Sequence, residues 1–384
     1  MKTDYEVAII GGGIQGAGMA QACAAANYNT VVIEQNDWGS GTSCKSSKLI
    51  HGGLRYLESA QIPLVWQSLK ERKLLLNNAP TLVKPLEFLI PVYRATHRRP
   101  WELLLGLSLY SLLAGLTPLA RFKWSRKKPA LLKQDNFQMT FGYWDAQTDD
   151  QALTRAVIYS ASKLGAETLR PGKLIRAEKQ SFGYQLTVQF QGSEYPINCQ
   201  HLVNCAGPWI NQVMDTIVPK PAQPTIELIK GSHLVLRDQI SDQAFYLESP
   251  IDQRAVFLLP WYGRTLLGTT EVEFTGDPGG AEVSQQEIDY LLATARYYFP
   301  HLNADIIDQF AGLRVLPHSN ESAFSRSREP ILFQDKRHPR LISLYGGKLT
   351  TYRHTAEKTV QQIARVLGKR KAIADTKKIK LKKH

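Results

Sequence analysis

The chain has 384 residues, with 43% hydrophobic and 21% charged residues and a formal net charge of +13. That length suggests two domains, and the composition excludes a disordered or low-complexity protein. The four cysteines (Cys23, Cys44, Cys199 and Cys205) form no CxxC pair and have no histidine at zinc spacing, which excludes a disulfide scaffold and a zinc ribbon and fits a reducing compartment.

In chain order, the first residues lack a secretory-signal pattern, since Asp4 and Glu6 stand where a basic region belongs. Tyr5 to Ile10 reads as a short buried strand. Gly11, Gly13 and Gly16 follow in GxGxxG spacing, Ile14 to Asn27 reads as an alanine-rich helix, and Thr30 to Ile33 reads as a second strand closed by Glu34. This is the spacing of a dinucleotide-binding βαβ unit. Gly11 permits the tight turn, Gly13 lets the backbone approach a pyrophosphate, and Gly16 packs helix on strand. The helix N-terminus offers N–H groups to phosphate, and Glu34 offers a carboxylate to a ribose diol.

Gly39 to Gly53 is a long, hydroxyl-rich loop placed directly after the ribose-binding strand. A nicotinamide unit would start its next helix there, whereas a buried flavin needs many neutral donors. Leu103 to Ala120 carries no charged residue and is flanked by Arg98, Arg99, Arg121, Lys123, Arg126, Lys127 and Lys128. Pro118 and three hydroxyl residues argue against a membrane span, and two readings stand: a helix in the membrane interface, or a helix packed in the protein. His201 to Cys205 reads as a strand ending at Ala206-Gly207. Ser232 to Leu236, Ala255 to Leu259 and Thr265 to Gly268 read as further strands. Leu341 to Tyr345 gives a third strand-then-glycine turn, at Gly346-Gly347, followed by a helix. About half of the charge excess lies in the tail after Gly368, where eight basic residues face Asp375 alone. The tail reads either as a solvated end or as a segment drawn to an anionic surface.

Six stretches carry a resemblance across nearly the whole chain: Ile10 to Gly18, Ser46 to Leu57, Asn204 to Trp209, Ile229 to His233, Gly268 to Thr270, and Gly346 to Arg353. The sequence resembles the FAD-dependent glycerol-3-phosphate dehydrogenase family, within the D-amino-acid oxidase-like flavoproteins. The resemblance implies an α/β fold: a discontinuous, Rossmann-like FAD-binding domain over 1–75, 140–215 and 315–370. An α+β antiparallel-sheet substrate domain would use 76–139 and 216–314, with 371–384 as a basic tail. It implies a short form, without the helical domain that follows in full-length members. The family's Gly-Val-Arg-Pro-Leu stretch stands here as Gly312 to Pro317, with the arginine kept and the proline moved.

The implied activity is oxidation of sn-glycerol 3-phosphate to dihydroxyacetone phosphate by hydride transfer to flavin N5, with electrons passed to a quinone. An oxygen-using oxidase, or an oxidoreductase of another small hydroxy acid or amine, is the alternative. The implied location is cytoplasmic, peripheral on the inner face of the membrane. A nucleic-acid partner is not expected, because the basic run lacks interleaved aromatics. No metal site is expected.

The implied cofactor residues, besides Gly11, Gly13, Gly16 and Glu34, are Ile14, Gln15 and Gln35, then Thr42, Ser43, Ser46, Ser47, Leu49, His51 and Gly52 in the polar loop. Leu174, Ala206, Gly207 and Trp209 follow, and Gly347, Lys348, Leu349 and Thr350 close the set. A phosphomonoester needs several cations, and Arg55, Arg314, Arg328 and Lys348 are the implied ones, with Arg326 an alternative to Arg328. Tyr56 and Thr270 (or Thr269) would donate hydrogen bonds to substrate. His233 is expected to take the hydroxyl proton, with His51 as the alternative base or as an orienter of the flavin ring. Arg55, Arg314 and Lys348 complete the expected catalytic set.

Overall fold

The fold is built on two mixed sheets, seen in a computed structural model that describes residues 4–115, 117–318 and 329–383. Among the described residues the α-helices are α1 (Ile14–Ala25), α2 (Ile62–Asn78), α3 (Pro100–Leu113), α4 (Asp150–Lys163), α5 (Ile210–Asp215), α6 (Gln285–Tyr298) and α7 (Tyr352–Leu367).

The first sheet centres on strand Asp4–Ile10, which pairs in parallel with Thr30–Ile33 on one side and with the end of Ser193–Asn204 on the other. Strand Leu341–Tyr345 adds in parallel to that same end. The first half of Ser193–Asn204 instead pairs antiparallel with Gly183–Phe190. Side chains alternate along Asp4–Ile10. Val7 and Ile9 enter a cluster with Met19, Leu153, Tyr352 and Ile363 from α1, α4 and α7, and Ala8 and Ile10 enter a second cluster on the other face. Burial on both faces explains the unbroken apolar run. α1 lies close because its contact residues are small: a Cβ on Gly18 would stand 2.5 Å from the Tyr352 ring. The helix stops at Ala25, two residues short of expectation, where Asn27 turns into positive φ.

The second sheet is mostly antiparallel. Its longest pairings join Ile226–Leu236 to Ile306–Pro317 and Val83–Tyr93 to Phe137–Thr148. α2 and α3 pack on one face, and α6 packs on the other. The strands expected at 232–236, 255–259 and 265–268 lie within Ile226–Leu236, Ala255–Trp261 and Arg264–Gly268. Three details differ from the expected organisation. The boundaries set at 140 and 314 fall inside strands of this sheet, and Leu49–Ile50 from the flavin loop joins its edge.

The apolar run after Leu103 forms α3, which starts at Pro100 and ends at Leu113. No helix among the described residues is long and apolar enough to cross a membrane. The basic flanks also divide: Arg98 pairs with Glu58 and Glu248, Lys123 pairs with Glu87, and Lys128 Nζ donates to nearby carbonyls, while Arg99, Arg121, Arg126 and Lys127 lie exposed. The tail is held against the body. Ile373 N–H donates to Ala25 O and Leu381 N–H donates to Asn78 O, covering carbonyls left open at the ends of α1 and α2. Leu381 is buried, which contributes about 1.5–3 kcal/mol.

Candidate active site

A glycine turn opens a cleft at the carboxyl ends of the first sheet's parallel strands. Gly11 has φ +104°, and a Cβ there would stand 2.6 Å from Cys205 O; on Gly16 it would stand 1.8 Å from Gly11 O. Both positions therefore require glycine. Ser43 Oγ accepts the Ile14 N–H at 2.8 Å, close to the α1 N-terminus. Glu34 follows its strand, and its two oxygens accept N–H groups from Gly12 and Asn36 at 2.6 and 2.7 Å.

The cleft holds about 570 Å³. Its walls include Gly11, Gly13, Ile14, Gln15, Glu34 and Gln35 from the βαβ unit, and Thr42, Ser43, Ser46, Ser47, Leu49 and His51 from the polar loop. Leu174, Ala206, Gly207 and Trp209 form another wall, and Gly347, Lys348, Leu349 and Thr350 close it. The loops interlock: His51 N–H donates to Thr350 Oγ1 at 3.2 Å, Gln15 Nε2 to Lys348 O at 3.2 Å, and Thr42 Oγ1 to Leu313 O at 2.8 Å. These features fit FAD. The bare glycine turn leaves room for a pyrophosphate, neutral hydroxyls line the middle, and Gln15 Oε1 is buried without a hydrogen-bond partner among the described residues.

Two expected cofactor residues stand outside the cleft wall. Gly16 sits under the turn and serves helix packing. Gly52 faces Tyr110 and Leu69, and its N–H donates to Tyr110 Oη at 2.9 Å and Asp145 Oδ1 at 3.2 Å.

A smaller cavity of about 80 Å³ shares Ser47, Leu49, His51, Tyr56 and Arg314 with the cleft. Arg55 and Thr269 line it, and Phe88, Tyr143, Tyr246 and Phe257 form an aromatic wall. Lys348 Nζ lies 3.8 Å from the Tyr56 ring centroid, and the Arg55 guanidinium lies 5.3 Å from the same ring. Arg55, Tyr56, Arg314 and Lys348 therefore gather in one place.

His233 belongs to strand Ile226–Leu236 and is 1% exposed. Its Nε2 is 2.9 Å from Ser47 Oγ, its ring stacks on Phe310 at 4.9 Å, and Nδ1 has no hydrogen-bond partner among the described residues. Burial holds its pKa well below the usual 6.5, aided by the nearby Arg314 and Lys48 charges, so the ring is neutral. Gly268 makes the space, since a Cβ there would stand 2.2 Å from His233 Cδ2.

Thr270 does not line either cavity. Its hydroxyl accepts the Ser232 N–H at 2.9 Å and donates to Glu287 at 2.7 Å, in a buried network under the sheet, and Thr269 is the threonine at the cavity wall. The cis Gly268–Thr269 peptide precedes this pair. Arg328 and its alternative Arg326 lie outside the described residues.

Sequence reasoning passed over Lys48, Phe310 and Glu271. Lys48 is buried in an ion pair with Asp150 at 2.8 Å and sits 4.9 Å over the Phe310 ring. Glu271 pairs with Arg314 at 3.0 Å and faces Arg55 at 3.7 Å. Its only signal was its place directly after Gly268 to Thr270.

A family model described as "FAD dependent oxidoreductase" (DAO) matches residues 6–357. A glycerol-3-phosphate dehydrogenase from Pseudomonas aeruginosa is 36% identical over 367 residues, covering 94% of this chain and 71% of that protein. A D-erythritol 1-phosphate dehydrogenase from Brucella abortus is 32% identical, over 93% of this chain and 73% of that protein. The crystal structure of glycerol-3-phosphate dehydrogenase from Bacillus halodurans complexed with FAD superposes with a TM-score of 0.77 at 29% identity, covering 98% of this chain and 68% of that one. With a glycine cradle, a hydroxyl-lined cleft and a family match over most of its length, the chain belongs to the DAO family of FAD-dependent oxidoreductases.

Proposed function

We propose that the protein is an FAD-dependent glycerol-3-phosphate dehydrogenase that oxidises sn-glycerol 3-phosphate to dihydroxyacetone phosphate. The observation that carries this reading is the approach of Arg55, from the smaller cavity, and Lys348, from the cleft, to the ring of Tyr56, which with Arg314 lines both cavities. A phosphomonoester brings nearly two negative charges and needs such a cluster. The names of the relatives support the same substrate class.

In this reading the first sheet and its helices carry the flavin, and the second sheet supplies the substrate wall. Arg55 and Arg314 hold the phosphate, and Thr269 and Tyr56 offer hydroxyls to substrate oxygens. FAD, when bound, supplies the hydride acceptor. His233 collects the hydroxyl proton at Nε2, which faces Ser47 Oγ, a group common to both cavity walls. Its neutral state leaves one ring nitrogen ready to accept. Lys348 at the cleft wall offsets negative charge that develops there.

The electron acceptor in this reading is a quinone reached at a membrane surface. α3 supports it: Trp101, Leu105 and Leu112 are each more than half exposed, as is Trp124 in the segment after it, and Arg99, Arg121, Arg126 and Lys127 in the flanking segments are exposed. An apolar face flanked by cations suits an anionic lipid interface.

Arg314→Ala tests the substrate assignment. It should lower kcat/KM for glycerol 3-phosphate about 10- to 100-fold, the loss of a charge-assisted contact, while flavin absorbance is retained. Unchanged kinetics would remove Arg314 from the site.

A further inference from the structure

Glu271 is a carboxylate inside what reads as an anion pocket. Its side chain is 5% exposed, and a single oxygen, Oε1, faces Arg314 Nη1 at 3.0 Å and Arg55 Nη2 at 3.7 Å. Such a group opposes the ligand those arginines would bind, so its presence needs a reason.

Holding Arg314 in place is an incomplete reason. Arg314 Nη2 also reaches Thr269 Oγ1 at 3.4 Å, and the guanidinium passes through a slot left by Gly231, where a Cβ would stand 2.8 Å from Nη2. Glu271 itself is held at its backbone, where its carbonyl accepts from Arg254 Nη1 at 2.9 Å. The carboxylate lies beside both arginines, at 3.0 Å from Arg314 and 3.7 Å from Arg55.

We infer that Glu271 is a specificity-determining residue that sets the net charge of the anion pocket and holds phosphate affinity down, so that product leaves. The inference rests on the phosphomonoester reading above. Glu271 places one negative charge against the two guanidinium groups that the phosphate of substrate or product would meet. Substrate and product carry the same phosphate. Extra attraction to phosphate binds both alike, which lowers KM without helping the chemical step and slows release. Glu271 removes that surplus.

The test uses FAD-loaded holoenzyme and inorganic phosphate as the probe, read as a competitive inhibitor and as a perturbation of the flavin spectrum without turnover. Glu271→Gln keeps the side-chain length and removes the charge. It should bind phosphate about tenfold more tightly, from the loss of one nearby like charge, and should show a lower KM and a lower kcat for glycerol 3-phosphate. Glu271→Asp, which keeps the charge, should stay within about threefold of the parent. Should the Gln variant fail to fold, Glu271→Met removes the same charge at similar length and is read the same way. Phosphate affinity in the charge-removed variant that is unchanged or weaker would overturn the inference, leaving Glu271 as a support for the arginines. A parent enzyme insensitive to phosphate and not reduced by glycerol 3-phosphate would overturn the substrate reading, and this inference with it.

Discussion

His201 lies in the last stretch of strand Ser193–Asn204 with no exposed surface and lines neither cavity. The same burial acts on both rings. It pushes His201 down to about 4 and holds His233 well below its usual value. What separates them is position: His233 faces Ser47 on the cavity wall, and His201 sits among strands. The depressed value has a consequence for stability. The unfolded chain takes up a proton near pH 6.5, and the folded chain resists it until about pH 4. The stabilising difference is therefore complete above pH 6.5 and is lost as pH falls toward 4. Between pH 7 and 5 this one group costs about 2 kcal/mol. His201→Phe should shrink the drop in unfolding free energy over that range by a similar amount. Urea titrations at the two pH values measure it, and an equal drop in parent and variant would refute the assignment.

α3 shows how one element can face two environments. Its inner side packs Leu103, Leu107 and Tyr110 into the second sheet's core, and its outer side leaves Trp101, Leu105 and Leu112 in solvent. Tyr110 Oη donates to Asp145 at 2.8 Å and accepts the Gly52 N–H, so the helix is tied to the loop that carries His51 and Arg55. Among the described residues nothing covers these outer side chains, which stay more than half exposed. Sedimentation with vesicles rich in an anionic phospholipid should bring the protein down at low salt. The double change Trp101→Ser with Leu105→Ser should weaken that binding about tenfold or more, given the apolar area withdrawn. Vesicle binding that survives the change intact would assign the contact to another surface, and catalysis with a soluble acceptor should be unaffected.

At the scale of the whole molecule, the two sheets meet where the cofactor cleft and the smaller cavity share a wall, and this meeting was only partly legible in the sequence. The βαβ unit could be read directly because glycine spacing fixes a local turn, and Gly11 and Gly16 have no room for a side chain. The charges gathered at Tyr56 were legible through resemblance, residue by residue. Sheet membership was not, because Phe137–Thr148 joins Val83–Tyr93 through pairing across some fifty residues that no local pattern encodes. Thr270 looked equivalent to Thr269 until the buried Glu287 claimed its hydroxyl. Glu271 carries meaning only through its distance to two arginines remote in sequence. The tail's lysines drew attention as charge, whereas its backbone bonds and Leu381 hold it to the body. The central claim, that this flavoprotein oxidises glycerol 3-phosphate at the wall between the two cavities, is tested most directly by the anaerobic absorbance spectrum of the FAD-loaded protein. Adding sn-glycerol 3-phosphate should bleach the flavin, glycerol and glycerol 1-phosphate should not, and a quinone analogue should restore the colour. Bound flavin that stays oxidised in the presence of glycerol 3-phosphate would contradict the account.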